Sequence, residues 1–223
     1  MSEIRLFYRE NNRLKISKNI DLLKEIPLEN FVWIDLNDVP EDAETELEQF
    51  LKIYIQEEEE MEEIEISSRY METEDTLVAN SRFLLDNFEE EPISFIVKNH
   101  ILVSVRSQEL RSFNETVKKM FANPRNYPNG FYILVALLET RVEYDADMIE
   151  ELAKEITQLS NRLKTDDDVS DDILIAIKEL QEKTMLIREN IIDKQRVCSN
   201  MLKSELFPNE AKTKLAIIIK DIN

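Results

Sequence analysis

The sequence predicts a mixed α/β unit followed by a long antiparallel helix pair and the beginning of a third helix. Three observations lead there. Short β-prone stretches bounded by turn residues fill most of the first half. The dense turn cluster Tyr127-Pro128-Asn129-Gly130 separates that half from the rest. Beyond it, apolar residues recur almost wholly at 4-3 spacing. The cluster therefore divides the chain into a mixed α/β domain at residues 1–128 and a helical domain at 129–223.

Ile4–Tyr8 and Arg13–Ile16 flank Glu10-Asn11-Asn12, a turn between two alternating segments, and predict an opening hairpin. Phe31–Leu36 is nearly continuous apolar and β-prone, which suits a strand buried on both faces. Pro40 then fits a first helical turn, and Leu47, Phe50, Leu51 and Tyr54 make Glu41–Tyr54 an amphipathic helix. Thr76–Leu85, Ile93–Lys98 and Ile101–Arg106 are strands, the last two joined by a two-residue Asn99-His100 turn. His100 thus sits at a hairpin tip with no second His or Cys to form a dyad, and it receives no site role. Leu110–Phe121 is a short amphipathic helix ended by Asn123-Pro124.

In the helical half, Leu138, Val142, Ile149, Leu152, Ile156, Leu159 and Leu163 form one stripe, broken where Asp145 takes an expected apolar position. Asp166–Asp171 makes a loop with an N-cap, and Ile173, Ile177, Leu180, Ile187, Ile191, Cys198 and Met201 form a second stripe. Two such helices pack antiparallel because each must bury its own stripe. Cys198 lies on that stripe and reads as a small core residue. Ala211, Leu215, Ile218 and Ile222 continue the spacing with no closing Gly or Pro, as if a longer helix begins here.

Composition excludes several functions. With Gly130 as its one glycine, the chain has no Gly-rich phosphate loop, dinucleotide fingerprint or nucleophile elbow. One His and one Cys make neither a Cys/His zinc site nor a disulfide framework, and a lone thiol suits a reducing compartment. A net charge of −19 repels nucleic acid and anionic membrane surfaces and favours divalent cations and basic partners. No signal peptide and no stretch of about 18 apolar residues is present, so this stretch of chain reads as soluble. Nothing supplies an oxyanion hole, a nucleophile–base pair or an organic cofactor motif, so an enzyme is not expected.

The densest charge lies in Glu57–Glu65, where seven carboxylates occupy nine positions. Such a run is commonly a solvated face, but hard oxygen ligands this close also suit a divalent cation that relieves their repulsion.

Several ordered stretches resemble the cytoplasmic domain of CorA-family magnesium transporters. They are Val32-Trp33-Ile34-Asp35-Leu36, Met61-Glu62-Glu63-Ile64-Glu65 with Arg69-Tyr70 and Glu74-Asp75, Asp193–Val197 with Met201-Leu202, and Leu206-Phe207-Pro208 with Ile219–Ile222. The resemblance implies an αβα sandwich, two acidic antiparallel helices and a stalk that continues into membrane helices beyond Asn223. It further implies a homopentameric inner-membrane channel for Mg²⁺, often with Co²⁺ or Ni²⁺, whose cytoplasmic part senses Mg²⁺. Carried over residue by residue, Glu62 and Glu63 stand at the family's acidic pair, and Glu63 replaces the aspartate that helps bind regulatory cations between subunits. A zinc-transporting paralogue shares this architecture. Two readings from other classes are a soluble acidic scaffold for a basic partner and a carboxylate-pair hydrolase.

Overall fold

The computed structural model describes residues 3–56, 60–61, 69–165 and 171–222. Among the described residues, seven strands form one mixed sheet: β1 (Glu3–Glu10), β2 (Arg13–Ser17), β3 (Phe31–Asn37), β4 (Tyr70–Glu72), β5 (Thr76–Leu84), β6 (Glu90–Lys98) and β7 (Ile101–Arg106). Their spatial order is β2-β1-β3-β7-β6-β5-β4, with β3 and β7 parallel and every other neighbour antiparallel. The helices are α1 (Leu22–Glu25), α2 (Glu41–Leu51), α3 (Arg111–Ala122), α4 (Gly130–Thr165), α5 (Asp171–Lys203) and α6 (Asn209–Ile222).

Alternation along the strands places helices on both faces. Leu6, Ile34, Leu36, Ile96, Val103 and Val105 meet Leu23 of α1 and Leu47 and Leu51 of α2. Their sequence neighbours, among them Phe7, Trp33, Phe95 and Leu102, face the other way and join Phe113, Leu134, Leu138, Cys198, Met201 and Leu215 from α3 to α6. This is the three-layer sandwich the resemblance implies, with the long helices after it. One core therefore runs from the sheet through the first turns of α4 into α5 and α6.

Both expected hairpins form; the second has the two-residue turn expected, and the first turns on Asn11-Asn12 alone because Glu10 pairs with Arg13. Asn11 and Asn12 have φ of 49° and 64°, and Asn99 and His100 have φ of 50° and 66°, the left-handed pair that matches strand twist. The start of α4 sits on the second turn, where the Gly130 N–H donates to the His100 carbonyl at 2.6 Å. A Cβ at Gly130 would lie 2.3 Å from the Leu102 nitrogen, so the one glycine is required by a close backbone approach.

Three differences from the sequence reading have physical causes. Helix α2 stops at Leu51 instead of Tyr54, because Lys52 turns left-handed (φ 53°) and its N–H closes onto the Glu48 carbonyl. Tyr54 is then 61% exposed and donates to Glu60 instead of packing. Strand β6 begins at Glu90, because Glu90 and Glu91 pair with Leu84 and Phe83 despite their charge, and the short strand β4 was not anticipated. In the helix pair, Ile149, Ile156, Leu163 and Ile177 remain exposed while Leu152, Leu159, Ile173 and Ile187 are buried. A helix with one partner buries a narrower stripe than the heptad pattern offers. The expected Asp166–Ser170 loop lies outside the described residues.

The first family-like stretch is explained by packing. The Asp35 carboxylate, fully buried, accepts from Arg5 (2.6 and 2.9 Å), Arg106 (2.8 and 3.2 Å) and Ser104 (2.7 Å), and Trp33 Nε1 donates to Ser104 at 2.9 Å. The Trp33 ring stacks on Phe7 with centroids 4.5 Å apart. This network ties β1, β3 and β7 together.

Candidate functional site

The outer edge of β5 is where the sheet meets the helix pair. In an antiparallel strand, alternate residues aim their N–H and C=O to one side. Here those residues are Asn80, Arg82 and Leu84. The short β4 ladder covers only Leu77 to Ala79, and the Asn80 N–H still reaches the Arg69 carbonyl at 2.7 Å. Past that point, among the described residues, helix side chains meet the strand. The Arg82 N–H donates to Asp193 Oδ2 at 3.2 Å, Asn190 Nδ2 donates to the Arg82 carbonyl at 2.7 Å, and an Arg141 guanidinium N–H donates to the Leu84 carbonyl at 2.6 Å. Side chains of α4 and α5 thus satisfy the backbone of this edge at Arg82 and Leu84.

These side chains are themselves linked. Asp193 Oδ2 accepts from Ser81 Oγ at 2.9 Å, while Oδ1 pairs with Arg69. Arg141 pairs with Asp145 one helical turn along, and Asp145 Oδ2 lies 3.1 Å from Lys194 Nζ. Asn190, Asp193, Lys194, Arg141 and Asp145 are all buried. Burial, opposed by Asp145, pulls the Lys194 ammonium down to about 8. Burial also pushes the neighbouring Cys198 thiol up to about 12, which matches a core role. A cleft of about 410 Å³ opens beside the cluster, lined among others by Arg69, Arg82, Glu90, Asn190, Asp193 and Arg196.

Arg69 gives this joint its place in the chain, since it lies four residues after Glu65, the last carboxylate of the acidic stretch. The carboxylates assigned to cation sensing, Glu62 and Glu63, lie outside the described residues, as does most of the run. Of its members, Glu60 accepts from Tyr54 Oη at 2.6 Å and Met61 is buried. Among the described residues, no three His, Cys, Asp or Glu side chains come together in a way that could hold a metal ion. A second tether follows at once: Glu72 of β4 accepts from Tyr70 Oη at 2.6 Å and from the Glu205 N–H at 3.2 Å, binding the sheet edge to the α5–α6 turn.

Residues 29–223 match the model of the family described as CorA-like Mg2+ transporter protein. The chain belongs to the CorA family. The Magnesium transport protein CorA of Wolinella succinogenes is 36% identical over 203 residues, covering 87% of this chain and 63% of the relative. That of Campylobacter jejuni strain RM1221 is 34% identical, covering 98% and 71%. The soluble domain of CorA from Methanocaldococcus jannaschii has the same fold at 18% identity, with TM-score 0.76 over 98% of this chain and 87% of that one. The cytoplasmic domain of ZntB from Vibrio parahaemolyticus also shares it, at 14% identity and TM-score 0.68 over 100% and 91%. This CorA-family chain thus spans 63% of the length of the Wolinella relative, and none of its described helices is long and apolar enough to cross a membrane.

Three of the stretches that carry the CorA resemblance converge in space: Arg69-Tyr70, Asp193–Val197 and Leu206-Phe207-Pro208. Sequence reading did not find that Arg69 pairs with Asp193, nor that Arg141, Asp145 and Lys194 form one cluster. Two signals were visible, each a charge at an apolar-stripe position: Asp145, and Lys194 between Ile191 and Cys198.

Proposed function

We propose that this chain is the cytoplasmic, Mg²⁺-sensing part of a homopentameric CorA-type channel that passes Mg²⁺ and Co²⁺ across the inner membrane. On this reading it performs no enzymatic reaction and uses no organic cofactor. Residues 1–128 carry the acidic sensor, and residues 129–223 carry the helices that lead towards the pore. The observation that most supports it is the Arg69–Asp193 ion pair, which ties the chain four residues past the acidic stretch to α5.

Seven carboxylates within nine positions repel one another, and a divalent cation shared with a neighbouring subunit relieves that repulsion. Glu62 and Glu63 are the ligands proposed. Mg²⁺ keeps several waters, so a site of few carboxylates and moderate affinity fits a sensor better than a storage site. Such an ion biases the channel only as far as it prefers the closed assembly. When Mg²⁺ falls, repulsion returns at the subunit contacts, and the Arg69 anchor passes the displacement to α5 and α6.

The test is a chimera in which this chain replaces the matching region of the Wolinella succinogenes protein, expressed in bacteria lacking Mg²⁺ uptake. Mg²⁺ and Co²⁺ uptake that shuts off as internal Mg²⁺ rises is expected. Zn²⁺ uptake without Mg²⁺ uptake, or a membrane-inserted chimera indifferent to internal Mg²⁺, would overturn the reading.

A further inference from the structure

Lys194 is a cation in a place whose charges already balance without it. The groups facing it are Arg141 and Asp145 from α4, Asn190, Asp193 and Cys198 from its own helix α5, and the Phe83 ring of β5 at 5.3 Å, with Arg69 beyond Asp193. Arg141 pairs with Asp145 and Arg69 pairs with Asp193, so two guanidinium groups already answer two carboxylates. The side chain of Lys194 has no exposure to water at all.

What holds its ammonium is mostly charge. Nζ donates to the Asn190 side-chain carbonyl and lies 3.4 Å from the Asn190 backbone oxygen. It also forms an ion pair with Asp145 Oδ2 at 3.1 Å. A buried excess charge of this kind can be relieved in two ways: the group loses its proton, or the structure opens to admit water.

We propose that Lys194 is a proton-responsive latch between the helix pair and the edge of β5 at Arg82 and Leu84. Protonated, it biases α4 and α5 to lift from Arg82 and Leu84 so that the ammonium can be solvated. Neutral, it leaves the joint closed over Asn190, Asp193 and Arg141. The inference uses only the described residues and stands apart from the Mg²⁺-sensing reading.

The sign follows from linkage. The folded-state value of Lys194 is about 8, against 10.5 for an ordinary lysine, so the unfolded or opened chain binds more protons between those limits. Stability therefore rises with pH there, by about tenfold in the folding equilibrium constant between pH 7 and 9. Cys198 works in the opposite direction, because its thiol is raised from 9.0 to about 12. Up to pH 9 it removes only a factor of about two.

The test is urea denaturation of this chain at pH 7 and pH 9, for the native sequence and for Lys194→Met, together with a ¹³C titration of the Lys194 side chain in the native sequence. The native chain is expected to gain several-fold in folding constant, Lys194→Met to gain nothing, and Lys194 to titrate near 8. Hydrogen exchange of the Arg82 N–H, corrected for intrinsic rate, should slow between pH 7 and 9 relative to β6 and β7. An equal gain in Lys194→Met, a Lys194 midpoint above 10, or unchanged Arg82 protection would each overturn the proposal. The titration and the exchange measurement need no variant, so they decide even if Lys194→Met does not fold.

Discussion

Arg69 and Asp193 lie 124 positions apart in the chain and form an ion pair largely withdrawn from water. One residue lies four positions after the last carboxylate of the acidic stretch, Glu65, and the other stands on the helix whose side chains close the edge of β5. Breaking a buried pair leaves one charge uncompensated. Asp193→Asn is therefore expected to lower stability by about 3 kcal/mol, the low end of the range because Arg69 keeps some contact with water. Urea denaturation measures it, and a loss well under 1 kcal/mol would mean that the pair contributes nothing.

Asp35 is the more deeply buried anchor. Burial alone would raise its carboxyl, but the guanidinium groups of Arg106 and Arg5, with their hydrogen bonds and that of Ser104, hold it below the usual carboxylate range. The stability it supplies is complete above its unfolded value, near pH 4, and is lost as pH falls through the lower folded value. Asp35→Asn is expected to cost about 3–5 kcal/mol at neutral pH. It should also flatten the loss of stability below pH 4, which acid titration followed by circular dichroism would detect.

Gly130 meets the backbone of Leu102, not a movable side chain. Ala is a better helix former by about 1 kcal/mol, yet here the helix start or the hairpin must shift to admit the methyl group. Gly130→Ala is expected to destabilise by about 1–3 kcal/mol, the usual cost of overpacking, in a thermal or urea melt. A stabilised variant would show that helix propensity outweighs the clash.

Asn12 is exposed and held at φ 64° in the first hairpin turn. Asn-Gly suits that turn better than Asn-Asn because glycine adopts this conformation without steric cost. Asn12→Gly should raise stability by about 0.5 kcal/mol, less than the roughly 1–2 kcal/mol left-handed cost because Asn tolerates this region and glycine loses more entropy on folding. A decrease would show that the Asn12 side chain makes a contribution that the turn geometry does not.

What could be read from the sequence was whatever periodicity and turn chemistry encode. The hairpins at Asn11-Asn12 and Asn99-His100, the buried strand around Trp33, the helix pair and the CorA resemblance all rest on local pattern, and the structure contains each of them. The heptad stripe overstated burial at Ile149, Ile156 and Leu163, because spacing shows which face is apolar and not how much of it a partner covers. The β5 edge was not legible, because Arg69, Arg141, Asp145, Asn190, Asp193 and Lys194 come from three separate stretches that only the fold brings together. Charged residues on a helix ordinarily face solvent, and apart from Asp145 and Lys194, which fall at apolar-stripe positions, nothing in their spacing marks these as buried. Glu62 and Glu63 are known only from their likeness to the family's acidic pair.

The most direct measurement of the central claim is the internal Mg²⁺ concentration at which the Wolinella chimera closes, compared between the native sequence and Glu62→Gln/Glu63→Gln. If these carboxylates sense the cation, the double variant should need several-fold more Mg²⁺ to close, or fail to close, while still conducting. An unchanged Mg²⁺ dependence in a conducting, correctly assembled double variant would contradict the account.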